Sequence, residues 1–304
     1  MGQTLWRVGL SRRSEYWKGI IITFVGVLVL SSDALLIRVS GVSGSKAAFW
    51  RASFAFISLS LLLAVTQRGK LKATLVTGGK RMLFSGLLWG ASGITFSIGV
   101  YNSGAAVALV MLGLAPFFAA IHAYLFYRTK SHPLTIIVAV IALSGIAYMY
   151  GSQLDNIGPH DLFYTVWSPL FYGFNLSYLR RHPEVNRMSV SMVGALIGVV
   201  ISFVLVKGSV EVTATQLLPL AILGALLIPF AQTAIGVGTK YIPAGESALI
   251  SSLETIVGIF YVWFFLSEVP TKKTLIGAAI VFGSIIINTL VQANRSKRRD
   301  LENV

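Results

Sequence analysis

Apolar residues run along this chain in long unbroken blocks, separated by short polar connections. Ten stretches are long enough to cross a bilayer core, which takes roughly 20 apolar residues per helix. They are 19–39, 47–65, 82–101, 105–127, 133–150, 161–180, 187–206, 217–239, 243–266 and 271–291. Runs such as 59–65 and 276–287 do not alternate apolar with polar positions, so strands of an outer-membrane barrel do not fit. Helices do fit, because a helix satisfies its backbone polar groups within the segment. The expected fold is therefore an all-α membrane protein with ten transmembrane helices. The connections are too short to hold a soluble domain.

Composition sharpens the picture. Charged residues are 12% of the 304 and mean hydropathy is +0.76. A soluble chain carries about 25% charged residues. The chain holds no Cys, so thiolate metal sites and disulfides are excluded. No cofactor is expected, and neither a His-pair metal motif nor a Gly-rich phosphate loop stands out. An enzyme is not expected.

The net charge of +14 would suggest nucleic acid in a soluble protein, but topology explains it here. With a cytoplasmic N-terminus and ten spans, 19 of the 25 Lys and Arg fall inside and 6 outside. That distribution obeys the positive-inside rule and puts both basic tails, 1–18 and 292–304, in the cytoplasm. No signal-peptide cleavage pattern precedes the first span. Membrane lipids are the expected partner of the basic surface, and nucleic acid is not.

Segments 104–145 and 245–283 resemble each other at an offset of about 140 residues. Each has Ala-Leu near its start (Ala108 and Leu109, Ala248 and Leu249). Each then passes through an aromatic end to a Pro-bearing turn (Pro133, Pro270) and a Gly-containing helix. This suggests two five-helix repeats, 19–150 and 161–291. An odd number of spans per repeat inserts the two in opposite orientation, an architecture typical of secondary transporters with a mid-membrane site.

The chain also resembles the drug/metabolite transporter superfamily, in its EamA-type ten-helix branch. The likeness rests on the two five-helix halves, on Phe49, Trp50 and Arg51 opening helix two, and on 247–287. That last stretch is similar to the family's helix 9–10 signature, a Leu-Glu-Pro step followed by Gly-Glu-x-Pro-Thr. Here Thr255 replaces the Pro and Ser267 the Gly, and Tyr127 and Arg128 stand where the first half often has Gly-Glu. The resemblance implies a carrier of the bacterial inner membrane that exports or exchanges amino acids and similar metabolites by alternating access.

Charged residues inside spans are expensive and point to function. Asp33 lies in the outer third of helix one, with Arg51 as its expected partner and Arg38 second. It either binds substrate or relays a proton, or it pins helix one to helix two. Glu254 lies about 11 residues into helix nine, roughly 16 Å deep at 1.5 Å per residue. Ser247, Ser251, Glu254, Gly258 and Tyr261 share one face of that helix. The carboxylate either takes a substrate ammonium or a proton, or bonds a neighbour such as Gln232 as structural glue. Trp89, Tyr101, Asn102, Trp167, Tyr172, Asn175 and Gln232 complete the expected cavity wall, together with Ser251. Rings there hold apolar groups or cations. Glu246 and Glu268 read as helix-start and turn residues, and His122 as a packing residue. Pro116, Pro169 and Pro229 fall mid-helix and kink their helices. Gly86, Gly90, Gly93 and Gly99, with Gly194 and Gly198, mark close crossings; the Gly194–Gly198 spacing fits an internal contact or a homodimer face.

The expected function is secondary transport of a small polar, amino-acid-like molecule, with a proton as a coupling ion. A rival of the same fold exports cationic drugs or quaternary ammonium compounds, and a channel is the third reading.

Overall fold

The computed structural model describes residues 2–67, 71–128, 159–238 and 244–267 continuously, and 137–148, 241 and 269–291 in pieces. Within these, the side chains of 2–14, 16, 71–75, 244–249 and 251–252 are not described, nor are a few single ones. Among the described residues all regular structure is helical. The helices are α1 (Gly2–Leu30), α2 (Asp33–Ser40), α3 (Gly44–Thr66), α4 (Leu71–Ser103), α5 (Ala105–Leu112) and α6 (Ala115–Tyr127). Then follow α7 (Pro159–Arg181), α8 (Arg187–Leu205), α9 (Ala214–Ile222), a π-helical turn (Leu223–Leu227), α10 (Ile228–Gly238) and α11 (Ala244–Leu266).

Among the described residues six stretches are long and apolar enough to cross a membrane: Trp17–Ser40, Gly44–Thr66, Val76–Ser103, Ala105–Tyr127, Arg187–Leu205 and Ala214–Ile235. They correspond to expected spans one to four, seven and eight. Helix α7 covers the sixth and is long enough, but more polar. Its Ser168 and Asn175 are turned away from the surface, 2% and 1% exposed. Helix α11 covers the ninth, with an apolar stretch of Leu253–Leu266, and the tenth is described over Leu275–Ser284. Most of the fifth lies outside the described residues. Large side chains such as Phe264 (81% exposed) and Phe126 (66%) face outward. That is what lipid, rather than water, asks of a surface.

Among the described residues three spans are interrupted within their apolar stretch, and α4 also bends near its start, at Gly79 (φ 43°, ψ −135°). The first span breaks at Ser31 and Ser32, whose hydroxyls turn back to the carbonyls of Val27 and Val29, both at 2.7 Å. Such local bonds compete with the helical ladder, and Asp33 becomes the first residue of a new helix. The fourth span breaks at Gly113 and Leu114, and Pro116 lies in the first turn of α6. A proline there needs no helical donor. In the eighth span the π-helical turn precedes Pro229. Pro229 has no N–H for the Ala225 carbonyl four residues back. Ser58 of α3 donates to that carbonyl instead, at 2.6 Å.

The ninth span is continuous. Thr255 stands where the related signature has Pro; it keeps its N–H, and α11 runs unbroken through it. Ser267, in place of Gly, adopts a left-handed φ of 54° just past the helix end. Glycine takes that conformation without the Cβ clash a serine meets.

Candidate functional site

The broken helices meet around a cavity of about 100 Å³. By that measure a water needs about 10–15 Å³, so the space takes several waters or a small solute. Its wall draws on the first four spans, on α7 and α8, on α10 and on α11. Asp33, Arg51, Trp89, Tyr172, Gln232 and Glu254 all line it.

The charged side is built from three helices. Arg51 of α3 pairs its Nη2 with Asp33 Oδ2 at 2.8 Å and donates from Nη1 to Ser97 Oγ of α4 at 3.1 Å. Ser97 in turn donates to the Gly93 carbonyl at 2.9 Å. The guanidinium is thus held from two sides. The other carboxylate oxygen of Asp33, Oδ1, is buried without a hydrogen-bond partner. Glu254 lines the same cavity from α11, and its charge interacts with those of Asp33 and Arg51. Among the described residues no cation pairs with it.

An aromatic pair also lines the cavity. Trp89 of α4 and Tyr172 of α7 stand with ring centroids 5.7 Å apart and planes at 54°. The Tyr172 hydroxyl interacts electrostatically with Glu254. Glycines close the wall between α4 and α8. A Cβ on Gly194 would collide with Trp89 and with the Gly86 carbonyl. Gly90, Gly93, Gly194 and Gly198 all border the cavity, so part of its wall is bare backbone.

Four expected site residues lie elsewhere. Tyr101 is 48% exposed at the end of α4. Asn102 donates to Asp161 Oδ1 at 2.8 Å at the same end. Trp167 packs between Phe163 and Phe171, at 5.4 and 5.2 Å. Asn175 is buried away from the cavity and accepts from Ser85. Each is polar or aromatic near a span, which sequence cannot separate from cavity-facing. The Ser251 side chain lies outside the described residues, as do those of Ser247 and Glu246; Glu268 lies outside them altogether. His122 is buried against Ser177, Phe174 and Phe126 in a packing role. Ser92, Ser191 and Ser97 were not singled out from sequence. Serines are frequent in these spans, and only the packing marks these three.

A family model described as the EamA-like transporter family matches the chain twice, over residues 17–151 and 162–290. A crystal structure of a protein of unstated function superposes with a TM-score of 0.65 at 16% identity, over 90% of this chain and 96% of its own. At that identity the likeness concerns the fold alone. No curated protein matches the chain in sequence.

Proposed function

Because the chain belongs to the EamA-like transporter family, and so is a multi-pass membrane transporter, we propose that it moves small ammonium-bearing metabolites of the amino-acid type. It does so as a secondary carrier of the inner membrane, by alternating access through the central cavity. One observation carries the reading. Arg51 is already answered by Asp33 and Ser97, while Glu254 lines the cavity without an ion pair among the described residues. The cavity thus holds two carboxylates and one guanidinium. A substrate ammonium, or a coupling proton when substrate is absent, supplies the charge that is missing. Trp89 and Tyr172 offer π-faces to the same cation. Broken helices around a mid-membrane site are how carriers of this architecture place free backbone polar groups beside a ligand.

Counterflow of labelled amino acids into proteoliposomes tests this with Glu254→Gln. A hydrogen bond to a charged group contributes about 1.5–3 kcal/mol, so apparent affinity is expected to fall roughly 10- to 150-fold. Unchanged uptake of every amine tried would remove Glu254 from the mechanism. The aromatic pair favours a second reading, export of quaternary ammonium compounds, which have π-contacts but no N–H donor. Competition between amino acids and quaternary ammonium ions separates the two. Saturation of counterflow separates either from a channel.

A further inference from the structure

Several helix crossings join the halves of the molecule, α4–α8, α3–α8 and α6–α7 among them, and two others are chemically unlike. The first is between α4 and α7, which run antiparallel. It is tied by polar or ring contacts from one end to the other. Asn102 bonds Asp161 at 2.8 Å. Ser92 and Ser168 exchange bonds, each hydroxyl donating to the other's backbone carbonyl at 3.1 and 3.3 Å. Ser85 donates to Asn175. Phe84 meets Tyr178 edge-on at 4.9 Å, and Arg81 reaches Glu184, just past the end of α7, at 2.7 Å.

The second crossing is between α1 and α10. Here Gly26 lies against Ala231, Ala234 and Ile235, and Gly238 against Gly19 and Thr23. Among the described residues, no side-chain hydrogen bond joins 19–30 to 228–238, and the buried Thr23 hydroxyl has no partner. The contact is close but without direction.

We infer that the α4–α7 seam is the fixed side of the carrier. It holds Trp89 and Tyr172 at constant spacing through the transport cycle, while the wall bearing Asp33 and Glu254 moves against it, giving up the bond from Arg51 to Ser97 of α4 as it does so. This rests on the alternating-access reading above. The physical reason is the surroundings of the seam. Parting it would strip buried hydroxyls and amides of their partners in an apolar medium, where no water replaces them. Sliding α1 over α10 breaks no side-chain hydrogen bond between 19–30 and 228–238 among the described residues, and at its end Lys18 meets the Tyr241 ring at 5.5 Å through a contact that a shift of the ring does not strand. The mobile wall also has a built-in joint, since Asp33 begins a helix that follows the break at Ser31 and Ser32. The Ser92–Ser168 exchange lies one turn from both rings, so it positions the aromatic pair. Helix α4 falls in the first family match and α7 in the second. The moving boundary therefore does not follow the repeat boundary.

The absence of Cys makes the test direct. Cysteine pairs are introduced across the seam, as Ser85→Cys with Asn175→Cys, and separately as Asn102→Cys with Asp161→Cys. A third pair, Gly26→Cys with Ala234→Cys, crosses α1–α10, where a Cβ built on Gly26 lies 3.0 Å from that of Ala234. Each is oxidised in proteoliposomes and then reduced. Cross-linking the seam is expected to leave counterflow within about twofold, and cross-linking α1–α10 to abolish it until reduction. Loss of counterflow on oxidising either seam pair, restored by reductant, overturns the inference. So does full activity with α1–α10 locked. Spin labels at the same sites read the motion without any substrate. The seam pairs should give one narrow distance and the α1–α10 pair a broad or double one; a broad seam distance overturns the inference. Absence of counterflow in the unlinked protein would count against the proposed substrate alone, because the distances still decide the seam.

Discussion

At the scale of the residue, the decisive contrast is between the two acids that line the cavity. Asp33 has a partner and Glu254 has none among the described residues. A charge removed from a buried pair leaves its partner stranded, at a cost of about 3–5 kcal/mol, whereas replacing both by apolar groups is often neutral. Asp33→Ala is therefore expected to lower the thermal unfolding midpoint in detergent markedly. The double change Asp33→Leu with Arg51→Met should recover most of it. If the double variant is as unstable as the single one, the pair is not what holds the first span to α3. Sequence alone supplied both acids and the Asp33–Arg51 partnership, because a charge inside an apolar run has few neighbours to choose from. It offered Glu254 a structural partner in Gln232; among the described residues the two share the cavity wall with no hydrogen bond between them, and this arrangement comes only from the folded packing.

At the scale of the element, the three broken spans follow from chemistry written in the chain. Two serines in succession end α1, and prolines mark the breaks in the fourth and eighth spans. What the sequence does not reveal is where the freed carbonyls find new donors. Ser58 lies 167 positions from Ala225 and still donates to its carbonyl. Ser58→Ala leaves that carbonyl unpaired inside the membrane region. The expected loss is about 1–3 kcal/mol of stability, seen as a lowered unfolding midpoint with the helical circular dichroism unchanged. An unaltered midpoint would mean that another group satisfies Ala225. Pro169 lies inside α7, and the helix continues on both sides of it from Pro159 to Arg181.

At the scale of the whole molecule, charge sets which way the chain sits. The basic distribution predicts that Arg12→Cys and Lys297→Cys react with a membrane-impermeant thiol reagent only from the cytoplasmic side, and Lys46→Cys only from the opposite side. Labelling of Lys46→Cys and Arg12→Cys from the same side would refute that topology. Outside the spans, Glu184 secures the loop after α7 to the start of α4's membrane segment. Its own backbone N–H, then Arg81 and His182, hold the carboxyl below its ordinary value of 4.5. Because the folded form binds its proton less readily than the unfolded chain, this contribution to stability is present above that value and is lost as pH falls below it, through the lower value of the folded form. Unfolding midpoints measured from neutral pH downward should fall less steeply in Glu184→Gln than in the unaltered protein. Identical slopes would show that the pairing is too solvated to matter.

The helical class, the membrane setting and the family resemblance were all fixed by sequence. Each depends on a property that adds up along the chain, such as apolar length, charge asymmetry or a local signature. The division of polar residues between cavity, seam and surface was not. Asn175, Asn102 and Trp167 look like Gln232 and Trp89 in one dimension, and only the rotation and neighbours of each helix tell them apart. The unlike chemistry of the two crossings belongs to the tertiary structure for the same reason. A serine declares its hydroxyl in the sequence, but whether that hydroxyl meets a carbonyl 76 positions away depends on which helix packs beside it.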